Sequence, residues 1–126
     1  MSPSAGDATS FALRELSAYL RGSLAELTRL ADRADRLADL VDRGSALGPA
    51  MAAEERPLII TQLVAITDRL HELGGAIRRA EAQQLLGEGY SQERIATEFG
   101  VTRQRVGALL RPQPTVRTGP KRPRRD

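Results

Sequence analysis

From Leu13 to Val41 apolar residues return at alternating steps of three and four, at Leu13, Leu16, Leu20, Leu27, Leu30, Ala34, Leu37 and Val41, with Ser23 the one polar member of the row. A mean spacing of about 3.5 residues keeps a single stripe of a helix against a partner helix along its whole length. The stretch is therefore predicted to form a long helix packed on another helix, of the same chain or of a second copy. Leu24, Ala31 and Ala38 widen the stripe on one side and Leu40 on the other, which suits a bundle better than an isolated two-stranded coil. Asp32 with Arg36 and Asp39 with Arg43 stand four apart with the acid first, as solvated support for the outer face. Gly22, followed by Ser23 and Glu26, has the form of a capping box and marks a place where the helix could break. The unshifted phase across Gly22 favours one helix from about Ser10 to Arg43, ended by Gly44.

Residues 44–54, GSALGPAMAAE, read as the connection of a helical hairpin. A second amphipathic stretch starts near Glu55 with Pro57 in its first turn. It repeats at Ile59, Leu63, Ile66, Leu70, Leu73 and Ile77, widened by Ile60 and Val64, and matches the first helix in period. Gly74 and Gly75 read as a bend or hinge, because each glycine costs about 1 kcal/mol against alanine inside a helix. The expected organisation is a disordered N-terminus at 1–9, a helical hairpin at 10–74, a second unit at 75–111 and a disordered basic tail at 112–126.

Composition narrows what such a chain can do. Its 126 residues include no cysteine and one histidine, His71, which excludes thiolate zinc sites, cysteine nucleophiles and paired-histidine motifs. His71 reads as a packing or surface residue. The carboxylates, interleaved with arginine, read as solvated ion pairs rather than acid-base catalysts. No phosphate-cradling loop, nucleophile elbow or metal-ligand spacing is present, so neither an enzyme nor a cofactor is expected. No apolar run approaches the roughly 18 residues that span a bilayer. Met1 to Ser10 lacks the basic start and apolar middle of a secretory signal, and the expected location is cytoplasmic, at the nucleoid. Four scattered aromatics, Phe11, Tyr19, Tyr90 and Phe99, are too few for a base-stacking platform. Charge is divided along the chain: residues 1–74 hold eight arginines against eleven acids, and residues 75–126 hold eleven basic residues against five acids. The acidic half suits protein contacts and the basic half suits a polyanion.

The basic half carries the motif. Ala76 to Leu86 is helical in pattern, GEGY at 87–90 is a turn, and Ser91 is an N-cap for a helix from Gln92 to Phe99. Gly100 turns the chain, Thr102 caps a helix from Arg103 to Arg111, and Pro112 stops it. Three short helices with a glycine-centred turn make a helix-turn-helix unit without a wing. The segment SQERIATEFGVTRQRVGALLR resembles the helix-turn-helix of bacterial transcription regulators, and EFGVTRQR is similar to the promoter-reading segment of region 4 in bacterial primary sigma factors. With Gln92 as the first position, the family pattern asks for a small residue fifth, glycine ninth, and branched apolar residues fourth, tenth, fifteenth and eighteenth. The chain supplies Ala96, Gly100, Ile95, Val101, Val106 and Leu109. The resemblance covers about residues 76–111, and the part before it has no sigma-factor counterpart.

What the resemblance implies is a recognition helix in the major groove with Thr102, Arg103, Gln104, Gly107, Ala108 and Arg111 toward the bases. Arg103 and Gln104 are the leading base readers, since arginine bonds guanine and glutamine bonds adenine bidentately. Ser91, Gln92 and Arg94, and also Thr102, are placed for phosphate contacts, and Arg105 either reaches a phosphate or pairs with Glu98. The tail adds Arg117, Lys121, Arg122, Arg124 and Arg125 among prolines and glycine, an arm that follows phosphates or serves only as a solubilising end. The expectation is an all-α, sequence-specific regulator of transcription bound to double-stranded DNA. It is expected to act as a homodimer through helices 10–43 and 55–73, on half-sites about one helical turn apart. Two alternatives stay open: an adaptor that binds RNA polymerase or another protein, and a low-specificity DNA-coating or partition protein.

Overall fold

A computed structural model describes residues 4–112, with helices and short connections and no strand among them. The chain order is α1 (Ala5–Asp42), α2 (Leu47–Ala52), α3 (Ile59–Gly87), α4 (Gln92–Phe99) and α5 (Arg103–Leu110), so the all-α class is as expected from the sequence. Among the described residues no helix is long and apolar enough to cross a membrane.

The 38-residue α1 starts earlier than the apolar row announces. Ser4 Oγ accepts the Asp7 N–H at 3.2 Å and Asp7 Oδ2 accepts the Ser4 N–H at 3.1 Å, a reciprocal box that satisfies donors the first turn leaves orphaned. Disorder through residue 9 is thereby corrected: residues 5–9 are helical. The second candidate box, at Ser23 and Glu26, does not form. Ser23 sits inside an unbroken helix and its hydroxyl donates to the Tyr19 carbonyl at 2.7 Å. At the other end Gly44 takes φ 83°, the Ser45 N–H reaches the Leu40 carbonyl and the Gly44 N–H the Val41 carbonyl, which closes the helix in a Schellman motif.

α1 packs antiparallel on α3. The face toward α3 takes only part of the predicted row, Leu16, Ser23, Leu30 and Leu37. Ala12, Ser23, Leu30 and Arg33 are buried and Leu16, Tyr19, Glu26 and Leu37 half-buried, whereas Leu13, Leu20, Leu27, Ala34 and Val41 are exposed. The apolar stripe is wider than one neighbour covers, and α3 takes the side where Tyr19 and Glu26 contribute their apolar stems. On α3 the buried residues are Ile66, Leu73, Ile77 and Ala82, and the predicted seam residue Leu63 is exposed.

Two features differ from the sequence reading of the connection, a plain loop at 44–54 and a helix from near Glu55. α2 occupies Leu47–Ala52 and buries Ala50 beside Leu37 and Leu40 of α1. α3 begins at Ile59 rather than near Glu55, so Pro57 precedes the helix instead of occupying its first turn. Between these elements Arg33 is 7% exposed and ties α1 to the start of α3. Its Nη2 donates to Glu54 Oε1 at 3.2 Å, to the Glu55 carbonyl at 2.6 Å and to the Pro57 carbonyl at 2.9 Å. The same Glu54 oxygen accepts the Ile59 N–H at 3.1 Å, one of the orphan donors of α3. This is a buried ion pair, not a solvated one. The pairs expected at Asp32–Arg36 and Asp39–Arg43 are not among the salt bridges of the described residues, where the helical pairs are Arg69–Glu72 and Arg78–Glu81.

Gly74 and Gly75 do not interrupt the chain. α3 runs through both to Gly87, so the segment 76–86 is the continuation of the hairpin's second helix and no helix end falls at 74–75. The helix that forms half of the hairpin therefore also forms the first helix of the unit that follows.

Candidate nucleic-acid interface

The unit beyond α3 is built from local signals that work as the sequence implies. Gly89 at φ 98° and the Tyr90 N–H to Leu85 carbonyl bond close α3. Ser91 Oγ then accepts the Arg94 N–H at 3.1 Å and starts α4. Gly100 takes φ 67°, the left-handed conformation that costs a Cβ-bearing residue roughly 1–2 kcal/mol. The Val101 N–H to Ala96 carbonyl bond at 3.0 Å completes that turn. Thr102 Oγ1 accepts the Arg105 N–H at 3.1 Å and starts α5. The two helices close over a core of Ala82, Ile95, Ala96, Val106 and Leu109, with Leu85, Tyr90, Phe99 and Leu110 packed around it. Ile95 and Val106 are fully buried. Of the six residues matching the family pattern, four lie in this core, and Gly100 and the 40% exposed Val101 form the turn beside it.

The burial of Val106 and Leu109 turns the opposite side of α5 outward. Gln104, Ala108 and Arg111 are exposed along it, Arg103 is exposed on one flank, and Thr102 is exposed at its start. Gly107 is half-buried: a Cβ there would stand 3.9 Å from Gln92 Oε1, so α5 and the first turn of α4 lie side by side at this point. Ser91 and Arg94 are exposed and Gln92 is half-buried. The structure thus brings the proposed base-facing row and the proposed phosphate-facing residues of α4 onto one continuous surface. The Ser91 and Thr102 hydroxyls act as acceptors toward their own helices, which leaves the hydroxyl protons for an outside acceptor. The Arg94 guanidinium lies over the Tyr90 ring, 4.5 Å from its centroid, which limits where its donors point.

Arg105 departs from this group. It stands on the flank of α5 opposite Arg103 and lines a groove of about 400 Å³ against α3, with Leu70, His71, Arg78, Phe99 and Val101. No ion pair joins it to Glu98 among the described residues. Arg78 was not legible as part of this unit, being 21 positions before Phe99 with no motif linking the two. Its guanidinium lies 4.3 Å from the Phe99 ring centroid and 3.7 Å from Glu81, and so clamps α4 to α3. His71 is exposed at the rim of the same groove.

The electrostatics follow from the residues present. Residues 100–112 contain Arg103, Arg105 and Arg111 and no acid, and none of these three arginines forms an ion pair among the described residues. A row of uncompensated cations beside neutral hydrogen-bonding side chains gives this face a positive potential. Among the described residues no three acids or histidines gather as metal ligands. The basic tail residues Arg117, Lys121, Arg122, Arg124 and Arg125 lie outside the described residues.

No protein-family model, no curated protein and no solved structure matches this chain.

Proposed function

We propose that the chain is a sequence-specific, double-stranded DNA-binding regulator of transcription that acts as a homodimer and reads the major groove with α5. The observation that carries this reading is the outward row of α5. Two capped helices, joined through a left-handed glycine, hold Arg103, Gln104, Ala108 and Arg111 on a buried core, the two arginines without an ion pair among the described residues. Arginine and glutamine at the exposed start of such a helix have the donor and acceptor geometry for guanine and adenine edges. The half-buried Gly107 and the small Ala108 let the helix backbone approach the bases or a thymine methyl. Ser91, Gln92 and Arg94 fix the register on the phosphates. The homodimer is supported by the exposed apolar residues of α1 and α3, which one hairpin leaves uncovered.

The groove between α3 and the turn supports a second reading, in which Leu70, Phe99 and Val101 with Arg78 and Arg105 receive a protein such as RNA polymerase. Selection of bound duplexes from a random-sequence pool at near-physiological salt separates the two, run on the wild type and on Arg103→Ala with Gln104→Ala. A two-fold symmetric motif that disappears in the double variant is the expected result. Enrichment without any motif would replace the regulator by a DNA-coating protein, and no enrichment would replace it by the adaptor.

A further inference from the structure

The outer face of the hairpin holds more information than exposure alone, because its charges are ordered. Along α1 the positions 14, 21, 28, 35 and 42, each seven apart, read Arg14, Arg21, Thr28, Asp35 and Asp42. All five are exposed, and the four charged ones form no ion pair among the described residues. The column is cationic on one side of Thr28 and anionic on the other. It borders the exposed apolar residues Leu20, Leu24 and Leu27, which are 44%, 63% and 38% exposed.

A second set lies on α3. Ile60, Leu63 and Val64 are 67%, 43% and 51% exposed. At about 100° per residue the exposed apolar residues of α1 are rotated by about a quarter turn from its buried row, and those of α3 are rotated in the same sense from theirs. Because the two helices are antiparallel, equal rotations bring both sets to one side of the hairpin. Glu26 and Arg29 of α1 line a cleft with Gln62 of α3 on the opposite side, as this geometry requires. The level of each residue along the hairpin follows from two contacts: Arg33 with the Pro57 carbonyl, and Gly6, whose Cβ would stand 3.9 Å from Gln84 Nε2. Both place Thr28 level with Gln62. The centre of the charge column and the centre of the α3 apolar set therefore coincide.

We infer that two copies of this chain pair face to face with α1 antiparallel to α1, about a two-fold axis at the level of Thr28 and Gln62. Arg21 then meets Asp35 of the second copy, Arg14 meets Asp42 of the second copy, and each pair occurs twice by symmetry. Leu63 meets its own copy across the axis, and Ile60 faces Val64. A two-fold axis along the bundle instead sets α1 of one copy against α3 of the other and separates the two charge columns, so the complementary order of the column favours the antiparallel pairing. The product is a four-helix bundle in which Leu16, Ser23, Leu30 and Leu37 lie toward the centre.

This arrangement deepens the dimeric reading given above and changes one expectation drawn from the sequence. The helix-turn-helix unit sits on α3 at Ala82, 20 positions from the axis at Gln62, and at about 1.5 Å per residue the two units stand about 60 Å apart along the bundle. One turn of DNA spans about 34–36 Å. Half-sites about two turns apart fit the dimer better than half-sites one turn apart.

Sedimentation equilibrium without DNA tests the pairing on the wild type, Arg21→Glu, Asp35→Arg and the two combined, each checked for helix content. The wild type is expected at twice 13.7 kDa at micromolar concentration. Each single reversal is expected to weaken dimerisation about tenfold, and the combination to recover to within about threefold of the wild type. A monomeric wild type, single reversals without effect, or a combination no better than either single variant would overturn the antiparallel pairing. The measurement contains no DNA, so a rescued dimer that fails to select a DNA motif would reject the sequence-specific regulator and leave the pairing standing.

Discussion

Replacing Arg33 by leucine is expected to destabilise the hairpin by about 3–5 kcal/mol, the range for removing one partner of a buried ion pair. The size comes from what is left behind. Glu54, whose side chain is 10% exposed, keeps its charge without the guanidinium, and the carbonyls of Glu55 and Pro57 lose the donor that satisfies them. The leucine replaces part of the buried stem, so the loss is electrostatic and hydrogen-bonding rather than a cavity. Adding Glu54→Gln removes the stranded charge while keeping an oxygen for the Ile59 N–H, and is expected to recover roughly half of the loss. Urea unfolding followed by circular dichroism reads both numbers. A single variant within about 1 kcal/mol of wild type would show that the turn is held by α2 and the apolar contacts alone.

Ile95→Ala is expected to cost about 3 kcal/mol and to abolish the proposed DNA binding at the same time. Ile95 is fully buried in a core of five residues, and isoleucine-to-alanine changes at such sites cost roughly 2–5 kcal/mol from lost transfer energy and the cavity that remains. A core this small has few neighbours that can close over the gap, and α4 and α5 are eight residues each, too short to persist without it. The hairpin is held by separate contacts around Leu30, Ile66, Leu73 and Ile77. Hydrogen exchange should therefore show protection lost from 92–110 and retained in α1. Equal loss in both would mean that α1 depends on the α4–α5 core and that the two parts unfold together.

What the sequence conveyed and what it withheld divide along the range of the interactions. Ser91, Gly100 and Thr102 act through bonds to residues a few positions away, and their residue types and spacing sufficed to place α4, the turn and α5. The 3.5-residue rhythm equally announced two long antiparallel helices. Phase within the broad stripe of α1 was not legible, since Leu13, Leu20 and Leu27 are as apolar as the residues that α3 covers. Arg33 sits in a run of alternating acids and arginines, where nothing local separates the buried cation from its solvated neighbours. The composition of Gly74 and Gly75 argued for a hinge, and packing of Leu73 and Ile77 against α1 overrode it. Arg78 and Arg105 meet at one groove only because α3 continues into the helix-turn-helix unit.

The central claim, that α5 is the element that meets DNA, is tested most directly by following backbone amide NMR signals while a selected duplex is added. Perturbations are expected at Thr102–Arg111 and at Ser91–Arg94, with Asp39–Ala53 at the far end of the hairpin unmoved. Shifts confined to Leu70–Arg78 and the groove, or to the hairpin alone, would contradict the assignment of α5 as the recognition helix.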